Sequence, residues 1–288
     1  LDTAGNLIWK RKVLDGVPTT PAVWGTSPLR FVLGDSDGTV KVLDAGGQDV
    51  ATFKAAGKIL SVNQNMRYDQ SMRVLKQIIE SGALGDIVFA QIDMHAIPHW
   101  QGFLEEYDRL TLANMSVHHL DVLRFLFGDP DEITTLTRKD PRTAFDHSDG
   151  ITVSTLRFPS GVLALSLEDV WSGPREDGYK DDQHINWRVD GTLGVAKGTI
   201  GWPTGAASTL SYASTKTTGG EWVSPTWDTM WFPHAFIGVM EQLQHAVKTG
   251  EAPALSVADN VKTMALVEAA YRSIEEKRTV ELSEIAID

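Results

Sequence analysis

The sequence predicts an α+β fold: an open, mostly antiparallel sheet with helices on one face, preceded by a short all-β segment. Runs at 86–95, 132–139, 150–158, 161–171, 185–191 and 193–200 often alternate apolar with polar residues, the period of half-buried strands. Stretches with helical spacing accompany them, and helices laid on one face of such a sheet make an α+β domain. Residues 1–57 have a different texture, with short alternating runs joined by Asp-Gly and Gly-Gly turns that read as hairpins. The expected division is therefore 1–57 and 58–288.

In the second segment, Ile59-Leu-Ser-Val is expected as a strand ending in a turn near Asn63. Asp69 then caps a helix with Met72, Leu75, Ile78 and Ile79 on one side and Gly82 after it. A second helix carries the apolar run from Asn114 to Phe127 and stops at Gly128 and Pro130. Phe158-Pro-Ser-Gly161 is expected to turn a hairpin. Pro233 starts a helix whose buried stripe is Phe236, Val239, Met240, Leu243 and Val247. Ser256 and Asp259 open the last helix, which runs to about Glu276.

In the first segment Leu1-Asp-Thr-Ala-Gly5 recurs loosely from Leu43, a period of about 42 residues, as in propellers. The wording resembles quinoprotein-type β-propeller blades, with Trp9 in the place of the blade tryptophan. One blade and a fraction cannot close a ring, because stacked repeats bury their faces on neighbours. Leu1 stands where a methionine is usual and falls mid-pattern, so the start reads as truncated or processed.

Composition narrows the function. Hydrophobic residues at 42% and charged residues at 22% are those of a globular protein. A formal charge of −12, with no basic cluster, argues against nucleic acid. No apolar run has membrane-spanning length, so no membrane partner is expected. The absence of cysteine removes disulfides, thiolate catalysis and thiolate zinc sites, and fits a reducing, cytoplasmic setting.

Asn114 and His118 are four residues apart in an apolar helix, and so share one face. This segment, continuing to Gly128-Asp-Pro130, resembles the substrate-domain helix of the glucose–fructose oxidoreductase / inositol dehydrogenase family, whose usual form is Asp-x-x-x-His followed by an aliphatic run and Gly-x-Pro. Asn65-Met-Arg67-Tyr-Asp, Ser81-Gly-Ala-Leu-Gly85-Asp-Ile, Val189-Asp-Gly191-Thr-Leu-Gly194, Phe232-Pro-His-Ala-Phe236 and Glu268-Ala-Ala-Tyr-Arg-Ser273 match the same family in order across 58–288. The resemblance implies that family's carboxyl-terminal domain, a sugar-like or polyol substrate, NAD or NADP as cofactor, and homo-oligomers paired through the sheet face. It places the family's histidine at His118, expected to assist proton transfer while hydride leaves the same carbon. The family's aspartate falls on Asn114, a departure, since an amide hydrogen-bonds a hydroxyl but holds no proton.

No Gly-x-Gly-x-x-Gly follows a strand and opens a helix, and the family's Glu-Lys-Pro segment is missing, so no dinucleotide-binding motif is found in this chain. The expected function is a member or remnant of NAD(P)-dependent oxidoreductases acting on sugars or cyclic polyols, inactive alone. The alternatives are a non-catalytic oligomerising or carbohydrate-binding domain, or a fused gene fragment. Arg67, His99, Trp100 and Trp231 are further substrate-contact candidates. Arg67 is otherwise an ordinary surface arginine, Asn114 otherwise a helix N-cap, and Trp231, with Trp222, Trp227 and Phe232, otherwise fills a sheet–helix seam or an oligomer interface. His119 shares a face with Met115, Val122 and Leu126 and is expected to be structural. His95 and His99 have zinc-like spacing for a helix, but Pro98 forbids a helix interior there, and no metal is expected.

Overall fold

A computed structural model describes residues 22–26, 29–34, 39–44, 48–54, 59–96, 105, 108–143, 145–170, 183–202 and 205–285. The chain divides into two compact units: Leu1–Asn63 with Met240–Met264 and Ala286–Asp288, and Gln64–Val239 with Ala265–Ile285.

In the first unit, β1 (Ala22–Thr26), β2 (Leu29–Gly34), β3 (Thr39–Asp44) and β4 (Asp49–Lys54) pair antiparallel in chain order, as the hairpin signals predict. The strand expected from Ile59 shrinks to one bridge, Ser61 with Ser256. There the Val62 amide donates to the Leu255 carbonyl at 2.7 Å and Ser61 Oγ donates to the same oxygen at 3.2 Å. That tie spans nearly two hundred residues, so no local pattern announces it.

The second unit opens with a 3₁₀ turn, Asn65–Tyr68, and helix α1 (Gln70–Glu80). Asp69 caps α1 as expected, Oδ1 accepting from the Ser71 amide at 2.9 Å, and Gly82 ends it with φ of +68°, where a side chain would be strained. The strands are β5 (Ile87–His95), β6 (Glu132–Arg138), β7 (Ile151–Arg157), β8 (Leu163–Asp169), β9 (His184–Gly191), β10 (Gly194–Thr199), β11 (Thr209–Ser214) and β12 (Val280–Glu281). They form one sheet in the order β11-β10-β9-β5-β8-β7-β6-β12, antiparallel throughout except for β5 beside β8. Six of the eight were legible as strands; β11 and β12 were not.

Helix α2 (Val117–Phe127) packs on β8. Even-numbered β8 residues are buried beneath it, whereas Leu163, Leu165, Leu167 and Asp169 on the opposite face keep partial exposure. Leu136 on that open face is 71% exposed, a large apolar side chain without cover among the described residues.

Helix α3 (Trp231–Thr249) departs from the expected stripe. Phe232 has non-helical angles, so regular turns begin at Pro233 as anticipated. The buried side is Trp231, Ala235, Val239 and Ala246, while Met240 and Val247 are 47% and 67% exposed. A Cβ on Gly238 would come within 2.2 Å of the Tyr68 ring, so small residues mark the close approach. Helix α4 (Val257–Glu276) begins where Ser256 Oγ accepts from the Asp259 amide at 3.3 Å. No described helix is long and apolar enough to cross a membrane.

Candidate active site

The site is built at the N-terminal end of α2. The chain enters that helix through a π-helical turn, Leu112–Ser116, a geometry that spacing rules written for an α-helix do not reveal. Its free amides are satisfied from outside. The Asp149 carboxylate accepts from the Leu110 amide at 2.6 Å and the Leu112 amide at 2.9 Å. Tyr271 donates its hydroxyl to Asp149 at 2.9 Å and accepts the Ala113 amide at 3.2 Å. Burial raises the Asp149 pKa, and the amides and the Tyr271 hydroxyl only partly counter it. Replacing Asp149 by Ala is expected to cost about 2 kcal/mol in thermal unfolding, the upper range for a cap. A loss under about 0.5 kcal/mol would show that the turn is held otherwise.

Asn114 lies inside the π turn, so it is not the N-cap. Its amide is half-exposed and has no side-chain partner among the described residues. One turn on, His118 has an enclosed Nδ1 without a hydrogen-bond partner, although its ring keeps some exposure. The ring meets Trp231 edge-to-face, centroids 5.5 Å apart. Burial, and secondarily the neighbouring His119, push the His118 pKa down to about 4. The imidazole is therefore neutral near pH 7, with a nitrogen able to accept a proton.

A pH dependence follows from that depression. Between about pH 6.5, where an unfolded histidine titrates, and about pH 4, the unfolded chain binds the extra proton. Stability from this group therefore falls as pH drops through that window. His118→Gln should flatten the slope of unfolding free energy against pH there, measured by denaturant titration at several pH values. An unchanged slope would mean that His118 titrates normally when folded.

Trp231 and Arg67, candidate substrate contacts by sequence, are both buried. Trp231 is 2% exposed, and its indole N–H donates to Asn65 Oδ1 at 2.7 Å. Arg67 is 7% exposed and bound in a two-pronged pair to Asp121, Nε to Oδ2 at 2.7 Å and Nη2 to Oδ1 at 2.5 Å. The helix face of α2 delivers Asp121 to it, and burial makes the carboxylate partner obligatory. Neither burial nor this partner could be read from the Asn-Met-Arg-Tyr turn. His99 and Trp100 lie outside the described residues.

His119, read as structural, is fully buried with its Nδ1 2.6 Å from Glu168 Oε1. Ser166 donates to the same carboxylate at 2.7 Å, Ser116 at 2.7 Å and Thr152 at 2.6 Å. Burial alone would raise the Glu168 pKa; His119 and the hydroxyls overcome it and hold the carboxyl below its usual range. Glu168 thereby pins the last residue of the π turn, Ser116, and the first turn of α2 to β7 and β8. One signal was present in sequence: Ser166 and Glu168 have the strand parity of Ala164, so a carboxylate points inward with polar company.

Residues 76–282 match the family described as "Oxidoreductase family, C-terminal alpha/beta domain". The chain belongs to that family. It is 28% identical over 243 residues to D-apiose dehydrogenase of Rhizobium rhizogenes, an alignment covering 81% of this chain and 67% of that protein. It is also 29% identical over 153 residues to inositol 2-dehydrogenase of Burkholderia lata, covering 52% of this chain and 41% of that one. Among solved structures, an oxidoreductase from Agrobacterium radiobacter in complex with NAD+, L-tartaric acid and magnesium superposes with a TM-score of 0.64 at 22% identity. That match covers 79% of this chain and 66% of the other, and at this identity it shows the fold alone. The chain thus spans about two thirds or less of the length of these relatives.

The amides that open α1 and the approach to the π turn are already taken by the carboxylates of Asp69 and Asp149.

Proposed function

We propose that this chain is the substrate-handling part of an NAD(P)-dependent oxidoreductase acting on sugars or cyclic polyols. The neutral His118 ring, partly exposed at the start of α2, carries the reading. It accepts the proton of a secondary hydroxyl as that carbon is oxidised, and returns it in the reverse direction. Asn114 hydrogen-bonds a neighbouring hydroxyl with its half-exposed amide. Trp231, held by Asn65, and Arg67, held by Asp121, act as positioning residues: one walls the histidine and the other anchors α2. The substrate class is drawn from the relatives named for apiose and inositol. Calorimetric titration with D-apiose, myo-inositol and scyllo-inositol tests it. Saturable binding of at least one, lost in His118→Ala and weakened in Asn114→Ala, is expected. Failure of all three, or binding indifferent to His118, would remove the substrate site from this helix.

In this reading the residues from Lys58 onward form the family's carboxyl-terminal domain, and the antiparallel meander β1–β4 belongs to a blade-type module. The chain lacks the glycine turn that would cradle NAD(P), so it binds neither NAD(H) nor NADP(H) tighter than about 10 µM and is inactive alone. Saturable quenching of tryptophan fluorescence by either nucleotide below that concentration would overturn this part. The open face of the sheet, with Leu136 and Leu163 exposed at 71% and 45%, pairs with a second copy. A dimer burying on the order of 1,600 Å² is expected. A monomer mass by light scattering at tens of micromolar would count against it.

A further inference from the structure

The open face of the sheet carries a second cluster that the oxidoreductase reading does not use. His184 on β9, His95 on β5 and Asp169 on β8 lie in one cross-strand row, with His95 paired to both neighbours. Asp93 stands two residues before His95 on the same face, because strand side chains alternate. Two of the strands, β5 and β9, are separated by almost ninety residues, and only the sheet order brings their side chains together.

We propose that Asp93, His95 and His184 bind a divalent transition-metal ion, with zinc as the fitting case. Each offers one ligand atom, and these atoms lie within 4.8 Å of one another. His184 Nε2 is 3.2 Å from Asp93 Oδ2, close to the separation of about 3.3 Å that tetrahedral ligands have at ordinary Zn–N and Zn–O distances. The rings of His95 and His184 are 4.9 Å apart between centroids and inclined by 37°, so modest side-chain rotation brings the remaining ligand onto the ion. Two imidazoles and one carboxylate are ligands that zinc takes, and three protein ligands leave a fourth position for water or a bound group. An outer layer is also present. Asp169 Oδ2 lies 3.9 Å from His95 Nδ1, and Arg142 holds Asp169 through an ion pair while bridging to Asp140. A carboxylate behind a ligating histidine orients the ring once the two come within hydrogen-bond reach. In the unpaired chain the three ligands remain partly exposed, between 23% and 34%, so an ion has access before a second copy covers the face.

The chain, freed of any affinity tag and treated with chelator, is titrated with Zn2+ by calorimetry and with Co2+ by visible absorption, without sugar or nucleotide. One ion per chain is expected, with Co2+ showing the intense visible bands of tetrahedral coordination. His184→Asn and Asp93→Asn should each weaken Zn2+ by more than about tenfold, since loss of even an outer partner costs that much. Both variants are compared with the parent by circular dichroism. If one proves misfolded, the Co2+ spectrum of the unaltered chain and the other variant still decide the matter. Absence of binding at about 100 µM Zn2+, octahedral Co2+ spectra, or affinity unchanged in a folded variant would each overturn the site. Polyol binding is read separately, so failure of the metal site leaves the His118 reading untouched, and the reverse holds as well.

Discussion

Asp121→Ala is expected to destabilise the chain by about 3–5 kcal/mol, the cost of breaking one side of a buried ion pair. Asp121 is 1% exposed and grips Arg67 through two hydrogen bonds, so its removal strips a buried guanidinium of its carboxylate. Phe125 lies under the same guanidinium at 5.6 Å, which compensates only in part. Removing both partners, as Arg67→Leu with Asp121→Leu, should recover much of the loss, because the pair's net contribution is small once both desolvation costs vanish. Denaturant unfolding of the two single variants and the double variant checks this. A single-variant cost below about 1 kcal/mol would place the pair in effective contact with solvent.

Glu168→Ala should have a comparable effect, about 3–5 kcal/mol, for a different reason. The substitution leaves His119, Ser116, Thr152 and Ser166 without their shared acceptor in a fully buried pocket. Glu168→Gln keeps the shape and one acceptor oxygen, so it should cost less than Ala. The effect should also reach the site, since Ser116 ends the π turn and His119 adjoins His118. Loss of stability without any change in polyol affinity would show that the network supports the fold but not the placement of His118. Because His119 and the hydroxyls hold the Glu168 pKa low, its contribution is present above the unfolded carboxyl's pKa and is lost as pH falls through the folded one.

Much of this architecture is visible in the sequence because its determinants are local. Asp69 and Gly82 mark both ends of α1, alternation marks β5 to β10, and Gly128 stops α2. The remaining features depend on distant partners and leave no local signal. β11 is a short polar run whose pairing with β10 defines it, and β12 is two residues long. The π turn is specified by Asp149 and Tyr271, neither adjacent to it, and Asp149-Gly150 reads locally as an ordinary turn. Arg67 is indistinguishable in sequence from a surface arginine, because its burial comes from Asp121, fifty-four residues away. The nearness of Asp93, His95 and His184 likewise comes from sheet order, whereas the local spacing of His95 and His99 points to no site because Pro98 forbids a helix interior there.

The central claim is that the His118 ring, kept neutral by burial, faces the sugar or polyol hydroxyl. Nuclear magnetic resonance of the histidine ring signals, assigned by the loss of one resonance in His118→Gln, tests it most directly. His118 should titrate near pH 4 in the free chain, and its signal should move saturably on addition of D-apiose or an inositol, together with the Asn114 side-chain amide. A His118 resonance titrating near the unperturbed pKa of about 6.5, and unmoved by every member of that panel, would contradict the account.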